Sequence, residues 1–161
     1  MSVKFELAPL IAVQRRRVEQ ARAEVRARNE TFRQRASQRN AAYQRWEEGR
    51  AASLQEQQSQ VLSISDHRGQ GIGAAGLAVG AQRREWWRMR TEEYWKALAV
   101  AEQELAKARA AADEVEMLYR RARAREEALA ILEARWRSAQ AVKSERAEER
   151  MVEDLLANRH S

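Results

Sequence analysis

Cysteine is absent from this chain, so a disulfide framework, a thiol nucleophile and a zinc–thiolate site are all excluded, and the composition suits a reducing compartment. Proline occurs once, at Pro9, and five of the six glycines fall between residues 69 and 80. Proline costs about 3 kcal/mol inside a helix and glycine about 1 kcal/mol relative to alanine. Breakers gathered in one place therefore mark a single required reversal. Aromatic residues make up only 6% of the chain and charged residues 34%, the usage of long helices and not of a large globular core. Long apolar runs are also missing. Leu7–Val13 is too short to span a bilayer, and its arginines follow the apolar stretch, so neither a signal peptide nor a membrane segment is expected.

What remains is an all-α chain. It predicts one unit over residues 1–161, built as an antiparallel coiled-coil hairpin with a first helix over about 9–62, a glycine-rich tip over about 63–80 and a second helix over about 81–158. On the first arm Ile11, Val18, Val25, Phe32, Arg39 and Trp46 recur every seven residues, while the complementary positions, from Gln14 to Gly49, are poorer in apolar groups. The second arm fills both seams, with Tyr94, Ala101, Ala108, Val115, Ala122, Leu129 and Trp136 on one and Leu98, Leu105, Ala112 and Tyr119 on the other. At Glu126 the second seam fails, which predicts a shift of phase onto Leu118, Leu132 and Ala139. Neither arm has an apolar face broad enough to stand alone, so pairing within the chain is the economical solution.

Gly71-Ile-Gly73-Ala-Ala-Gly76 fits the dinucleotide-binding pattern G-x-G-x-x-G, but that fingerprint needs a βαβ unit and no further strand follows. A flexible turn is expected there instead. Beyond it, Trp86, Trp87, Tyr94 and Trp95 crowd into ten residues. Trp87, Tyr94 and Trp95 fall near the inner seam, whereas Trp86 and Met89 do not share that face. Aromatics in excess of packing needs are the side chains that dominate interface energies. Trp86, Trp87 and Met89 are accordingly candidates for a docking patch.

The net charge is +6, with 12 Lys/Arg against 7 Asp/Glu in residues 1–60 and near balance beyond. Interleaved glutamates and sparse stacking aromatics on that arm point away from nucleic acid and toward a solvated helix face or an acidic protein partner. No catalytic constellation is present. His67 and His160 are far apart in sequence and lack neighbouring ligands at metal spacing, and the glutamate pairs lie on helix surfaces. No cofactor or metal is expected, and no enzymatic activity.

Residues 145–154 read Glu-Arg-Ala-Glu-Glu-Arg-Met-Val-Glu-Asp. This run resembles the E-R-x-E-[QE]-[KR]-x-x-[DE]-[DE] segment that closes the second helix of the type III secretion stalk proteins, the flagellar FliJ and injectisome YscO family. Glu145, Arg146, Glu148, Glu149, Arg150, Glu153 and Asp154 match it. The layout is similar too, with a basic first helix, a glycine-containing tip, an aromatic start to the second helix and a charged end.

The resemblance implies a cytoplasmic, non-enzymatic stalk, peripheral to a secretion apparatus at the inner membrane. Its helix termini would enter a hexameric secretion ATPase through Arg15, Arg16, Arg17, Arg146, Glu149, Arg150, Glu153 and Asp154, the three first-arm arginines lying within reach of the others. The Trp86, Trp87 and Met89 patch would meet the cytoplasmic domain of the export gate, and secretion chaperones are a further class of partner. The long, apolar tip and high arginine content favour an injectisome over a flagellum. A generic coiled-coil adaptor or chaperone escort, and a basic helical binder of nucleic acid or membrane surfaces, are the alternatives.

Overall fold

The computed structural model describes residues 5–66 and 73–159, with the backbone alone for 63–66. Two α-helices account for nearly all of them: α1 spans Ala8–Asp66 and α2 spans Ala74–Arg159, and they pack against each other. Pro9 sits in the first turn of α1, where a missing N–H costs nothing. Gly73 opens α2, accepting hydrogen bonds from the N–H groups of Gly76 at 2.9 Å and Leu77 at 3.4 Å.

The second helix starts at Ala74 and not near residue 81, so Gly76 and Gly80 lie inside it. No described glycine has a positive φ. Ala74, Ala75, Leu77 and Ala78 are strong helix formers that offset the two glycines, and a side chain from α1 holds the backbone at Gly80. The first helix likewise runs four residues past its expected end. Of the glycine-rich segment, Gly69, Gly71 and Ile72 lie outside the described residues, as do His67 and His160.

The described residues form two units, one joining the stretch up to Arg26 to the stretch from Glu114 onward, the other running from Ala27 to Asp113. In the first unit the helices run antiparallel. Gln14, 4% exposed, donates from Nε2 to the carbonyl of Ala122 at 3.0 Å, and Phe5 packs on Trp136 with ring centroids 5.4 Å apart. Ile11, Val18 and Val115 are buried around that crossing, with Ala21, Tyr119, Ala122 and Leu129 half-buried.

The expected phase shift does not occur. Leu118, Leu132 and Ala139 are exposed, while Glu126, Glu133 and Gln140 continue the seven-residue spacing as half-buried positions. Glu126 and Glu133 tolerate the seam because each carboxylate reaches its rim and pairs along the helix, with Arg123 and Arg137 respectively.

In the second unit the helices are again antiparallel. Leu98 and Ala112 are buried, and Phe32, Trp46, Tyr94, Ala101 and Leu105 are half-buried. Gly49 is buried beneath Tyr94. Salt bridges cross the pair at Arg39–Glu102 (3.1 Å), Arg35–Glu104 (3.8 Å) and Arg83–Glu56 (3.4 Å). These exposed contacts fix register more than they stabilise, since each is worth about 0–1 kcal/mol.

Candidate functional sites

In the second unit, the start of α2 carries the aromatic cluster. Trp86 and Met89 are exposed, at 52% and 50%, whereas Trp87 is half-buried and meets Trp86 edge-to-face at 4.7 Å. The two exposed residues lie three apart and so share a helix face. The structure thus separates the three candidates as their spacing implies: Trp87 leans toward the packed side, and Trp86 and Met89 face outward.

Trp95 departs from expectation. Instead of lining the seam it is 54% exposed, and its ring packs on Trp46 at 5.5 Å. The cause is one residue of helix phase. Tyr94 takes the seam position over Gly49, which turns Trp95 about 100° away from it, onto the flank. There Trp46 and Trp95 become walls of an open groove completed by Leu54, Arg50, Arg84 and Thr91. The guanidinium of Arg50 lies 5.6 Å from the Trp46 ring centroid. Thr91 Oγ1 is buried against this groove, with no hydrogen-bond partner among the described residues. Aromatic walls with arginines along the rim are the chemistry of a protein-docking surface.

Polar contacts brace the same region. Gln60 donates to Glu56 at 3.2 Å and to the Gly80 carbonyl at 3.4 Å, and accepts from Arg84 at 2.7 Å. This links the last turns of α1 to the first turns of α2. Glu85 and Glu92, on the groove wall, have carboxyl groups held below the usual carboxylate range, chiefly by hydrogen bonds from Arg88 and Lys96.

In the first unit, every residue from 141 to 159 is exposed. Arg146, Glu149, Arg150, Glu153 and Asp154 therefore project from helix with none of α1 packed on it. Arg15, Arg16 and Arg17 are exposed too, but they follow Gln14 and hence sit at the level of Ala122. Arg146 is 24 residues farther along α2, about 36 Å at 1.5 Å per residue. The structure does not bring the two sets together, contrary to expectation, because α2 continues well beyond the part that α1 covers.

At the same level of the pair as Arg15–Arg17, α2 carries a second arginine run, Arg120, Arg121, Arg123 and Arg125. Arg120 pairs with Glu116, and Arg123 with Glu126 and Glu127. Among the described residues, Arg15, Arg16, Arg17, Arg121 and Arg125 have no carboxylate within 4 Å. The first run is conspicuous in the sequence because it is contiguous. The second, interrupted by alanines and offset by glutamates, became visible only through the register of the pair.

No family model matches the chain, and no curated protein or solved structure is significantly similar to it. Among the described residues, no helix is long and apolar enough to cross a membrane, and no group of three acidic or histidine ligands is placed to hold a metal.

Proposed function

We propose that this protein is a non-enzymatic coiled-coil stalk of a type III secretion system, of the kind found in the flagellar FliJ and injectisome YscO proteins. It would engage the hexameric secretion ATPase with the charged end of α2 and the export gate with the aromatic start of that helix. The observation that carries this assignment is the bare segment 141–159. It is helical, wholly exposed and charge-dense, and it contains the seven residues of the stalk motif.

A shaft inside a ring must touch several subunits without adhering to one, and alternating charges on a rigid helix meet that requirement. Such a shaft shifts a rotary cycle only through differential binding to the ring's conformations. The principal contacts fall to Arg146, Glu149, Arg150, Glu153 and Asp154. Arg15, Arg16 and Arg17, about 36 Å away along the helix pair, would meet the ATPase at a different level. Trp86 and Met89 would supply the apolar contact to the gate, with Trp87 holding Trp86 in place. The cytoplasmic face of the inner membrane is the corresponding location.

The groove of Trp46 and Trp95 supports a second function, that of an adaptor or chaperone escort taking up a helical partner. Co-purification distinguishes the two. The stalk should bring down the hexameric ATPase of its own secretion system, and Arg146→Glu/Arg150→Glu should abolish that recovery. A protein that recovers chaperones or cargo but no ATPase would be an adaptor.

A further inference from the structure

The outward side of α2 in the first unit carries a second stripe that α1 does not cover. Leu118, Arg121, Arg125, Ala128 and Leu132 recur at alternating steps of three and four residues, and all are exposed. The stripe continues, with Ile131 beside Leu132, through Ala139, Val142, Glu145, Glu149 and Val152, again all exposed. Its first half is basic and its second half acidic. In both halves the charges stand four residues apart, Arg121 with Arg125 and Glu145 with Glu149. Among the described residues none of these four makes a salt bridge or side-chain hydrogen bond, although exposed arginines and glutamates nearby do.

From this pattern we propose that two copies of the chain associate antiparallel through this stripe, about a twofold axis passing near Arg135. Pairing α2 with its symmetry mate at that register sets Leu118 against Val152 of the second copy, Arg121 against Glu149, Arg125 against Glu145, Ala128 against Val142, and Ile131 against Ala139. Because the operation is twofold, each contact occurs twice, and the interface closes on itself without generating filaments. Four salt bridges form from groups that are otherwise unpaired. Exposed Leu118, Ile131, Val142 and Val152 are removed from water together. The paired stretch from 118 to 152 is about 50 Å long, which is ample for a stable interface of about 1,200–2,000 Å². Along the stripe itself, like charges meet at the axis, where the two Arg135 side chains approach each other.

The association is independent of the stalk assignment. It would nevertheless bear on it, since it covers Glu145 and Glu149 and so makes pairing and engagement of the bare end of α2 mutually exclusive.

Sedimentation equilibrium on the full chain tests the proposal directly. At low ionic strength the average mass should rise with concentration toward twice the chain mass and stop there, and high salt should shift it back toward one. Arg121→Glu/Arg125→Glu and Glu145→Arg/Glu149→Arg should each be monomeric with unchanged helicity by circular dichroism. Mixing these two variants should restore a dimer, because every reversed charge then meets its opposite. Arg135→Gln should tighten the wild-type dimer. A wild-type chain that stays monomeric at high micromolar concentration, or variants that fail to recombine on mixing, would overturn the proposal.

Discussion

Gly49 and the ring of Tyr94 occupy one shared space between α1 and α2: a Cβ placed on Gly49 would lie 2.8 Å from Cδ2 of the tyrosine. Glycine in mid-helix costs about 1 kcal/mol relative to alanine. Here it admits an aromatic ring into the seam, and the ring's position in turn places Trp95 on the flank.

Gly49→Ala should therefore destabilise the protein despite the gain in helix propensity, because overpacking costs about 1–3 kcal/mol. Gly80→Ala is the control. Its Cβ would find the Gln60 carboxamide nearest, at an ordinary 3.5 Å, so the propensity gain of up to about 1 kcal/mol should appear as a higher Tm. Thermal unfolding followed by circular dichroism reads both, and opposite signs are expected.

Gln14 is the one buried polar residue of the described core, and its bond to the Ala122 carbonyl aligns the first unit. Gln14→Ala should lower stability by about 1–2 kcal/mol through the lost hydrogen bond and vacated volume. Gln14→Leu should unfold at a similar or higher temperature but with poorer definition of register, as when polar seam residues specify alignment at some cost in stability. Cysteines introduced at Phe5 and Trp136 would report register by their rate of disulfide formation, slower in the leucine variant.

Acid should weaken the second unit. Hydrogen bonds from Arg88, Lys96 and Lys107 hold the carboxyl groups of Glu85, Glu92 and Glu104 below the ordinary range. A carboxylate lowered on folding contributes stability above its unfolded value, about 4.3 for glutamate, and loses it as pH falls through the folded value. Urea midpoints should accordingly be flat from pH 7 to about 5 and fall below about pH 4. Because these groups stay open to solvent, 1 M salt should flatten the profile.

Helix existence, the placement of both seams on the second arm as far as Tyr119, and the outward direction of Trp86 and Met89 were legible in the sequence. Periodicity alone fixes which residues share a face. Three features were not legible. The start of α2 at Ala74 was hidden because glycines read as breakers even where alanines and Gln60 hold the helix. The run of the seam through Glu126 and Glu133 was hidden because a glutamate can fill a seam with its methylenes and pair at the rim. The distance between Arg15–Arg17 and Arg146 depends on register, which one polar contact at Gln14 sets and no repeat encodes.

For the aromatic patch, Trp86→Ala and Met89→Ala should leave helicity unchanged while weakening binding to the cytoplasmic domain of the export gate by at least tenfold if they form its hot spot. Trp87→Ala should lower both binding and Tm, since that ring is half-buried. Titration calorimetry paired with thermal unfolding separates the two effects. Gate binding unaffected by Trp86→Ala would make the patch a packing feature alone.

The most direct test of the stalk function is the ATP hydrolysis rate of the purified secretion ATPase with and without this protein. Wild-type protein should raise the rate, and Arg146→Glu/Arg150→Glu, which leaves the proposed dimer contacts at Arg121, Arg125, Glu145 and Glu149 in place, should abolish the increase without loss of helicity. High salt should reproduce that loss by screening exposed charges. An ATPase rate indifferent to the wild-type protein, or stimulated equally by the reversed variant, would contradict the assignment of residues 145–154 as the segment that engages the motor.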